Sequence, residues 1–143
     1  MFQIEAEQIF ASDWAIIGFR FDVPVPGCIC PVNFLGIPFL SVRGPSDKIK
    51  VFENVCRHCG MILVEEAKKF SGPITCPYHA WAYDFDGTLR ATPHVRGPDI
   101  HKHHSIDLTA LYFNELPSAI WRDVIYINLS GKAPPLEEKA AAL

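Results

Sequence analysis

The amino-acid sequence predicts an all-β fold, an antiparallel sandwich or barrel preceded by one short helix. Short runs rich in β-branched and aromatic residues recur along the chain: "WAIIGFRF", "CICPVNF", "IPFLSVR", "KIKVFENV", "WAYDF", "TALYFNEL" and "WRDVIYINL". Turn-forming residues separate these runs at 35–36, 44–47, 71–73 and 84–88. Near the start, "IEAEQIFASDW" (residues 4–14) mixes acidic and apolar residues as an amphipathic helix does.

The longest uncharged stretch, from Val23 to Val42, is long enough to span a bilayer as a helix. Four prolines would interrupt that helix repeatedly: Pro24, Pro26, Pro31 and Pro38. We therefore interpret the stretch as buried strands and expect no membrane span. The N-terminal residues carry acids where a secretory signal needs basic ones, so we expect a cytoplasmic protein.

Composition predicts a single domain over residues 1–143. With 143 residues, of which 49% are hydrophobic, the chain is long enough to bury a core without a metal to stabilise it. A net charge of −3, with no block of basic residues, gives no electrostatic basis for binding nucleic acid. Five cysteines are an odd number, and cytosolic thiols stay reduced, so a disulfide framework is not expected.

Candidate metal ligands concentrate in two segments that connect predicted strands, "NVCRHCG" and "TCPYHAW". Read as Cys-x-x-Cys followed by Cys-x-x-His, they offer Cys56, Cys59, Cys76 and His79 as a zinc site. Read as Cys-x-His followed by Cys-x-x-His, they offer one thiolate and one imidazole from each loop: Cys56 with His58, and Cys76 with His79. The second set is the one that a Rieske [2Fe–2S] centre needs.

The paired motif within "NVCRHCGMILV…ITCPYHAWAYDFDGTLRATP" resembles the Rieske domain of ring-hydroxylating and related Rieske non-haem iron oxygenases. The similarity covers most of the chain and corresponds to the N-terminal part of the catalytic α subunit. It implies a Rieske-type antiparallel β sandwich with a cluster-binding subdomain, whose loops are at about 54–61 and 74–83. Two positions depart from the family pattern: Cys59 stands where many relatives carry Arg, and Ala80 where many carry Gly.

The resemblance implies that Cys56 and Cys76 bind one iron of the [2Fe–2S] cluster and that His58 and His79 bind the other. Two ferric ions, two sulfides and two thiolates sum to zero charge, whereas four thiolates would leave the core anionic. An electron enters an uncharged core at lower Coulomb cost, which raises the potential into a span of roughly −150 to +300 mV. High-potential relatives carry an extra cysteine in each loop that forms a disulfide. The loop "CPYHAW" has none, so we expect the low end of that span.

The same resemblance implies an electron-transfer domain. Such a domain accepts one electron from a ferredoxin or reductase and passes it to a mononuclear non-haem iron, in a catalytic domain or a neighbouring α subunit of a homo-oligomer. The family's catalytic domain, with its two His and one Asp, is not found in this chain, so no catalytic residue is expected here. Tyr78, Trp81 and Gly60 are candidate cluster-shielding residues; the simpler interpretation is core aromatics and an ordinary turn glycine.

Three other interpretations remain open from the residues. A stand-alone Rieske ferredoxin would carry the same cluster without an oxygenase. A structural zinc module would use the first ligand set. The sequence "HKHH" at 101–104, with Asp99 or Asp107, could form an iron site with two His and one carboxylate, but adjacent histidines in a polar loop more often form a solvated surface.

Overall fold

The computed structural model describes residues 13–93 and 107–141, and these residues form antiparallel sheets. The strands in chain order are β1 (Trp14–Phe19), β2 (Cys28–Phe34), β3 (Ile37–Arg43), β4 (Ile49–Glu53), β5 (Lys68–Lys69), β6 (Ile74–Thr75), β7 (Ala82–Tyr83), β8 (Leu89–Ala91), β9 (Glu115–Leu116), β10 (Ser118–Trp121) and β11 (Val124–Asn128). The described residues also contain 3-10 turns at Arg20–Asp22 and Thr109–Leu111 and one short helix, α1 (Leu136–Ala140). The predicted all-β antiparallel fold is confirmed.

A five-stranded sheet in the order β5-β2-β3-β4-β9 forms the centre of the fold, and each of its faces packs against a smaller sheet. On one face, Phe39 and Val51 pack against the sheet β1-β11-β10. On the other face, Leu40, Val42 and Phe52 pack against the sheet β6-β7-β8, which carries the second metal-ligand motif. Because both faces of β3 are covered, its apolar run is continuous instead of alternating.

Most of the uncharged stretch from Val23 to Val42 forms β2 and β3, as the sequence predicts, and both strands begin and end at the predicted residues. The two strands pair in antiparallel register from Ile29 opposite Val42 to Phe34 opposite Ile37. In the parts of the chain that the structure describes, no helix has the length and apolar character needed to cross a membrane.

Two predicted strands are wrong in part. The run at 121–129 is the end of β10, a turn and β11, because Arg122 and Asp123 have φ of 47° and 63°. Positive φ at both central residues characterises a tight hairpin turn, which sequence rules expect from Asn-Gly rather than Arg-Asp. The run at 109–116 begins as a 3-10 turn, since the Asp107 carboxylate accepts hydrogen bonds from the Thr109 backbone N–H (3.0 Å) and hydroxyl (2.6 Å).

The predicted N-terminal helix lies mostly outside the described residues, and no such helix is seen within them. The prediction that Trp14 is the last residue of this helix is wrong, because Trp14 begins β1 and pairs with Asn128 of β11. Pairing with a distant strand has overridden local propensity there. The Trp14 indole N–H donates to the carbonyl of Pro134 at 2.8 Å, and Leu136 of α1 is buried, so the C-terminal segment packs back against the first strand.

Candidate metal centre

Two loops, loop A (residues 56–61) and loop B (residues 76–81), carry the candidate ligands. Loop A follows β4, and loop B connects β6 to β7. The Asn54 side chain stabilises the entry to loop A: its amide donates to the Val64 carbonyl at 2.7 Å, and its oxygen accepts from the backbone N–H groups of Leu63 and Val64 at 3.3 and 3.1 Å. Asn54 is buried, so all of these bonds form away from water.

Two backbone hydrogen bonds close loop A, and Cys56 takes part in both, once as donor and once as acceptor. The Cys56 N–H donates to the Met61 carbonyl at 2.8 Å, and the Gly60 N–H donates to the Cys56 carbonyl at 2.9 Å. Gly60 has φ of 70°, a left-handed conformation that glycine adopts without strain.

Loop B repeats the same turn. The Cys76 N–H donates to the Trp81 carbonyl at 2.8 Å, and the Ala80 N–H donates to the Cys76 carbonyl at 3.0 Å. Ala80, which corresponds to Gly60, has φ of 56° even though it is not glycine. The first residue of each turn is therefore a cysteine, the third is His58 or Tyr78, and the fourth is Cys59 or His79.

The loops bring the predicted ligands together as a buried thiol pair and an exposed imidazole pair. Cys56 and Cys76 are each 1% exposed, whereas His58 and His79 are exposed. The imidazole rings of the two histidines are 4.7 Å apart between centroids. The Cys59 thiol lies between the pairs: its ligand atom is within 4.8 Å of both cysteine sulfurs and, in a second grouping, of both histidine ligand nitrogens.

Two aromatic rings contact the histidines. Trp81 is buried and stacks on the His58 ring, with centroids 4.4 Å apart and planes 15° from parallel. Tyr78 is 64% exposed, and its ring lies 3.8 Å from the His79 ring between centroids. Trp81 is thus part of the hydrophobic core beside the ligands, while Tyr78 covers His79 from the solvent side and is not a core aromatic.

Tyr83 is a site residue that the sequence did not single out. Its hydroxyl is 3.6 Å from the Cys56 sulfur and accepts a hydrogen bond from the Arg57 backbone N–H at 3.2 Å. Since the phenol oxygen accepts from the amide, its proton is free to point to the sulfur. One signal was available: Tyr83 follows Trp81 by two residues in the predicted strand at 81–85, where alternation would turn both to the same side, and a buried tyrosine needs a polar partner.

The surroundings of Cys56 and His58 favour protonation states that bind metal, whereas burial raises the pKa of the Cys59 thiol. Burial raises the pKa of the Cys56 thiol, but hydrogen bonds from the Tyr83 hydroxyl and from the backbone N–H groups of His58 and Cys59 outweigh it, and the pKa lies below its ordinary value. Burial, and then the charge of His79, lower the pKa of His58. Thiolate and neutral imidazole are the forms that coordinate metal ions.

The donor set fits a Rieske cluster. Two thiols at the base and two imidazoles at the exposed tip, from two loops of the same geometry, match the division of ligands between its two irons. Within residues 13–93 and 107–141, both groupings of three or more metal-binding side chains lie at loops A and B. The "HKHH" segment and Asp99 lie outside the described residues; Asp107 is described, and its carboxylate bonds to Thr109.

Comparison with known proteins identifies relatives of one kind. A model of the Rieske [2Fe–2S] domain family matches residues 13–116. The chain is 29% identical over 143 residues to the glycine betaine monooxygenase oxygenase subunit of Chromohalobacter salexigens, covering 100% of this chain and 31% of that protein. It is 32% identical over 140 residues to the chlorobenzene dioxygenase α subunit of Cupriavidus sp. strain PS12, covering 96% of this chain and 30% of that protein.

Among solved structures, the chain resembles a quaternary ammonium Rieske monooxygenase described in terms of carnitine oxidation and inter-subunit electron transfer. The TM-score is 0.85 at 27% identity, and the match covers 99% of this chain and 37% of that one. The chain spans about a third of the length of the curated relatives it matches.

Proposed function

Because the chain belongs to the Rieske [2Fe–2S] domain family, we propose that it is the electron-transfer domain of an oxygenase α subunit. The relatives are oxygenase subunits of monooxygenases and dioxygenases, which supports a role for the chain in an oxidoreductase. In the proposed role it accepts one electron from a ferredoxin or reductase and passes it to a mononuclear non-haem iron. The observation that carries the proposal is the buried thiol pair beneath an exposed imidazole pair.

We propose Cys56 and Cys76 as the ligands of one iron and His58 and His79 as the ligands of the other. When bound, a [2Fe–2S] cluster supplies a one-electron acceptor and donor at this site. The buried cysteines would hold it on the core side, where Trp81 and Tyr83 exclude water. The exposed histidines would present the outer edges of their rings to a partner.

The partner iron is proposed to lie outside the described residues, in a catalytic domain or a neighbouring α subunit of a homo-oligomer. Two observations support this arrangement. The chain corresponds to only about a third of its relatives, and inter-subunit electron transfer is described for a similar monooxygenase. The proposed domain extends over residues 1–143, and a cytoplasmic location remains a prediction.

Anaerobic reductive titration tests the proposal. The purified, cluster-containing chain should take up one electron per chain, followed by the change in its visible spectrum. It should then return that electron to an added one-electron acceptor. A chain produced with ample iron that is nevertheless colourless, contains no iron and takes up no electrons would contradict the proposal.

A further inference from the structure

Loop A offers two alternative second ligands at adjacent positions, and only one of them is used by the proposed cluster. His58 is the third residue of the turn, and Cys59 is the fourth. In loop B, whose hydrogen bonds and positive φ match those of loop A, the ligand is at the fourth position, His79. The first and fourth residues of the two turns are therefore equivalent donors: Cys56 and Cys59 in loop A, and Cys76 and His79 in loop B.

The sulfur positions fit one tetrahedral ion. Zinc–sulfur bonds are about 2.3 Å long, so two thiolates on one tetrahedral zinc lie about 3.8 Å apart. The Cys59 and Cys76 sulfurs are 3.8 Å apart, and both lie within 4.8 Å of the Cys56 sulfur. The ligand nitrogens of His58 and His79 are both within 4.8 Å of the Cys59 sulfur, so the choice of His79 as the fourth donor rests on its equivalent position in loop B.

We propose that loops A and B form a second, mutually exclusive metal site: without the cluster, Cys56, Cys59, Cys76 and His79 bind one zinc-class divalent ion. Three thiols lose their protons to the solvent on binding, so a dication, three thiolates and one neutral imidazole form a complex of charge −1. Thiolate ligands favour soft ions of this class over Mg²⁺ or Ca²⁺. His58 takes no part in this site, because Cys59 replaces it as the second ligand from loop A.

This site competes with the cluster, because three of its four ligands are shared with the proposed cluster ligands. Occupation by zinc would leave the chain unable to take up electrons, since zinc has no redox chemistry. The two metal states have opposite requirements in loop A: the cluster needs His58, and the zinc site needs Cys59. The inference rests on the geometry of the loops and not on the proposed electron transfer, so the two can fail separately.

The test compares His58→Ala and Cys59→Ala chains produced in iron-limited, zinc-supplemented medium. Metal analysis should find one zinc per chain in the unsubstituted protein and in His58→Ala. Competition against a chromophoric zinc chelator measures the affinity of each variant. Loss of an outer-sphere contact weakens metal binding by up to roughly a hundredfold. Cys59→Ala should weaken zinc binding by more than that, because it removes a direct ligand. The His58→Ala affinity should equal that of the unsubstituted chain.

Substitution with Co²⁺ provides a readout that does not depend on affinity. Three thiolates in the unsubstituted chain become two in Cys59→Ala, so the thiolate-to-cobalt charge-transfer absorption of fully loaded protein should fall to about two thirds. The proposal is overturned if Cys59→Ala binds zinc as tightly as the unsubstituted chain, if His58→Ala loses zinc, or if the unsubstituted chain binds none. Loss of the cluster itself from Cys59→Ala under iron-replete conditions would instead contradict the proposed cluster ligands.

Discussion

The hydrogen bond between Tyr83 and Cys56 should set part of the reduction potential, and Tyr83→Phe isolates it. The hydroxyl is 3.6 Å from the sulfur, and it keeps its proton at neutral pH because burial and the neighbouring Cys56 both raise the pKa of Tyr83. A hydrogen bond to a ligand thiolate stabilises the reduced, more negative state more than the oxidised state. Removing the hydroxyl should therefore lower the potential.

The size of the shift follows from the strength of the bond. Hydrogen bonds to charged groups contribute about 1.5–3 kcal/mol, and only the difference between the two oxidation states affects the potential. We take a third to a half of that contribution, roughly 0.5–1.5 kcal/mol, as the difference between the two oxidation states. A tenfold change in the equilibrium constant of a one-electron couple corresponds to about 59 mV, so the potential should fall by about 20–60 mV. The 3.6 Å distance favours the lower part of this range.

Redox titration followed by visible absorption measures the shift. Tyr78→Phe is the matched control, because it removes the same hydroxyl from a ring that is 64% exposed beside His79 and has no bond to a ligand sulfur. We expect the control to stay close to the unsubstituted potential. A Tyr83→Phe potential that is unchanged or higher, with cluster content intact, would refute the reasoning.

Three further predictions concern strain, pH and turnover. Ala80→Gly should raise the free energy of unfolding by roughly 0.5–1 kcal/mol in urea denaturation, because it removes left-handed strain of about 1–2 kcal/mol and adds some freedom to the unfolded chain. The reverse change, Gly60→Ala, meets no atom within 4 Å and should cost a similar amount; a loss of stability in Ala80→Gly would contradict this account. Asp47→Asn should destabilise the fold at neutral pH but not in strong acid, because a hydrogen bond from Arg43 lowers the pKa of Asp47 below its ordinary 3.8. A carboxylate whose pKa is lower in the folded than in the unfolded protein stabilises the fold above its unfolded-state pKa, and this stability is lost as the pH falls through its folded-state pKa. Denaturation curves that show equal destabilisation by Asp47→Asn at neutral pH and in strong acid would count against the ion pair. Finally, the cluster-containing chain, reduced and exposed to oxygen with candidate substrates, should form no hydroxylated product, and product formation with a third iron per chain would show an oxygen-activating site outside the described residues.

The strands were predictable where the sequence pattern is local. β2 carries no charge and β3 carries none before its last residue, Arg43; both strands are bounded by turn residues, and both were predicted to the residue. The turn at Arg122 and Asp123 was not predictable, because Arg-Asp lacks the glycine that usually marks a turn with two positive φ values, and the pairing of β10 with β11 imposes the conformation. The strand role of Trp14 likewise depends on β11, more than a hundred residues away.

The site was predictable in composition but not in arrangement. The spacing of Cys56, His58, Cys76 and His79 identifies the candidate ligands, because metal ligands are residue types that recur at characteristic intervals. The equal spacing of Cys56-x-x-Cys59 and Cys76-x-x-His79 already suggests that Cys59 and His79 are equivalent, but the matching backbone hydrogen bonds that close the two turns are visible only in the structure. The contact of Tyr83 with Cys56 joins residues of different strands and loops, so it depends on the packing of the whole core.

Iron and acid-labile sulfide content of the two loop A variants, produced with ample iron, tests the central claim most directly. Cys59→Ala should contain two irons and two sulfides per chain and keep the Rieske absorption spectrum, because Cys59 is not a cluster ligand. His58→Ala should lose the cluster or retain only a small fraction of it. The opposite result, with His58 dispensable and Cys59 essential for iron, would contradict the assignment of one thiolate and one imidazole to each loop.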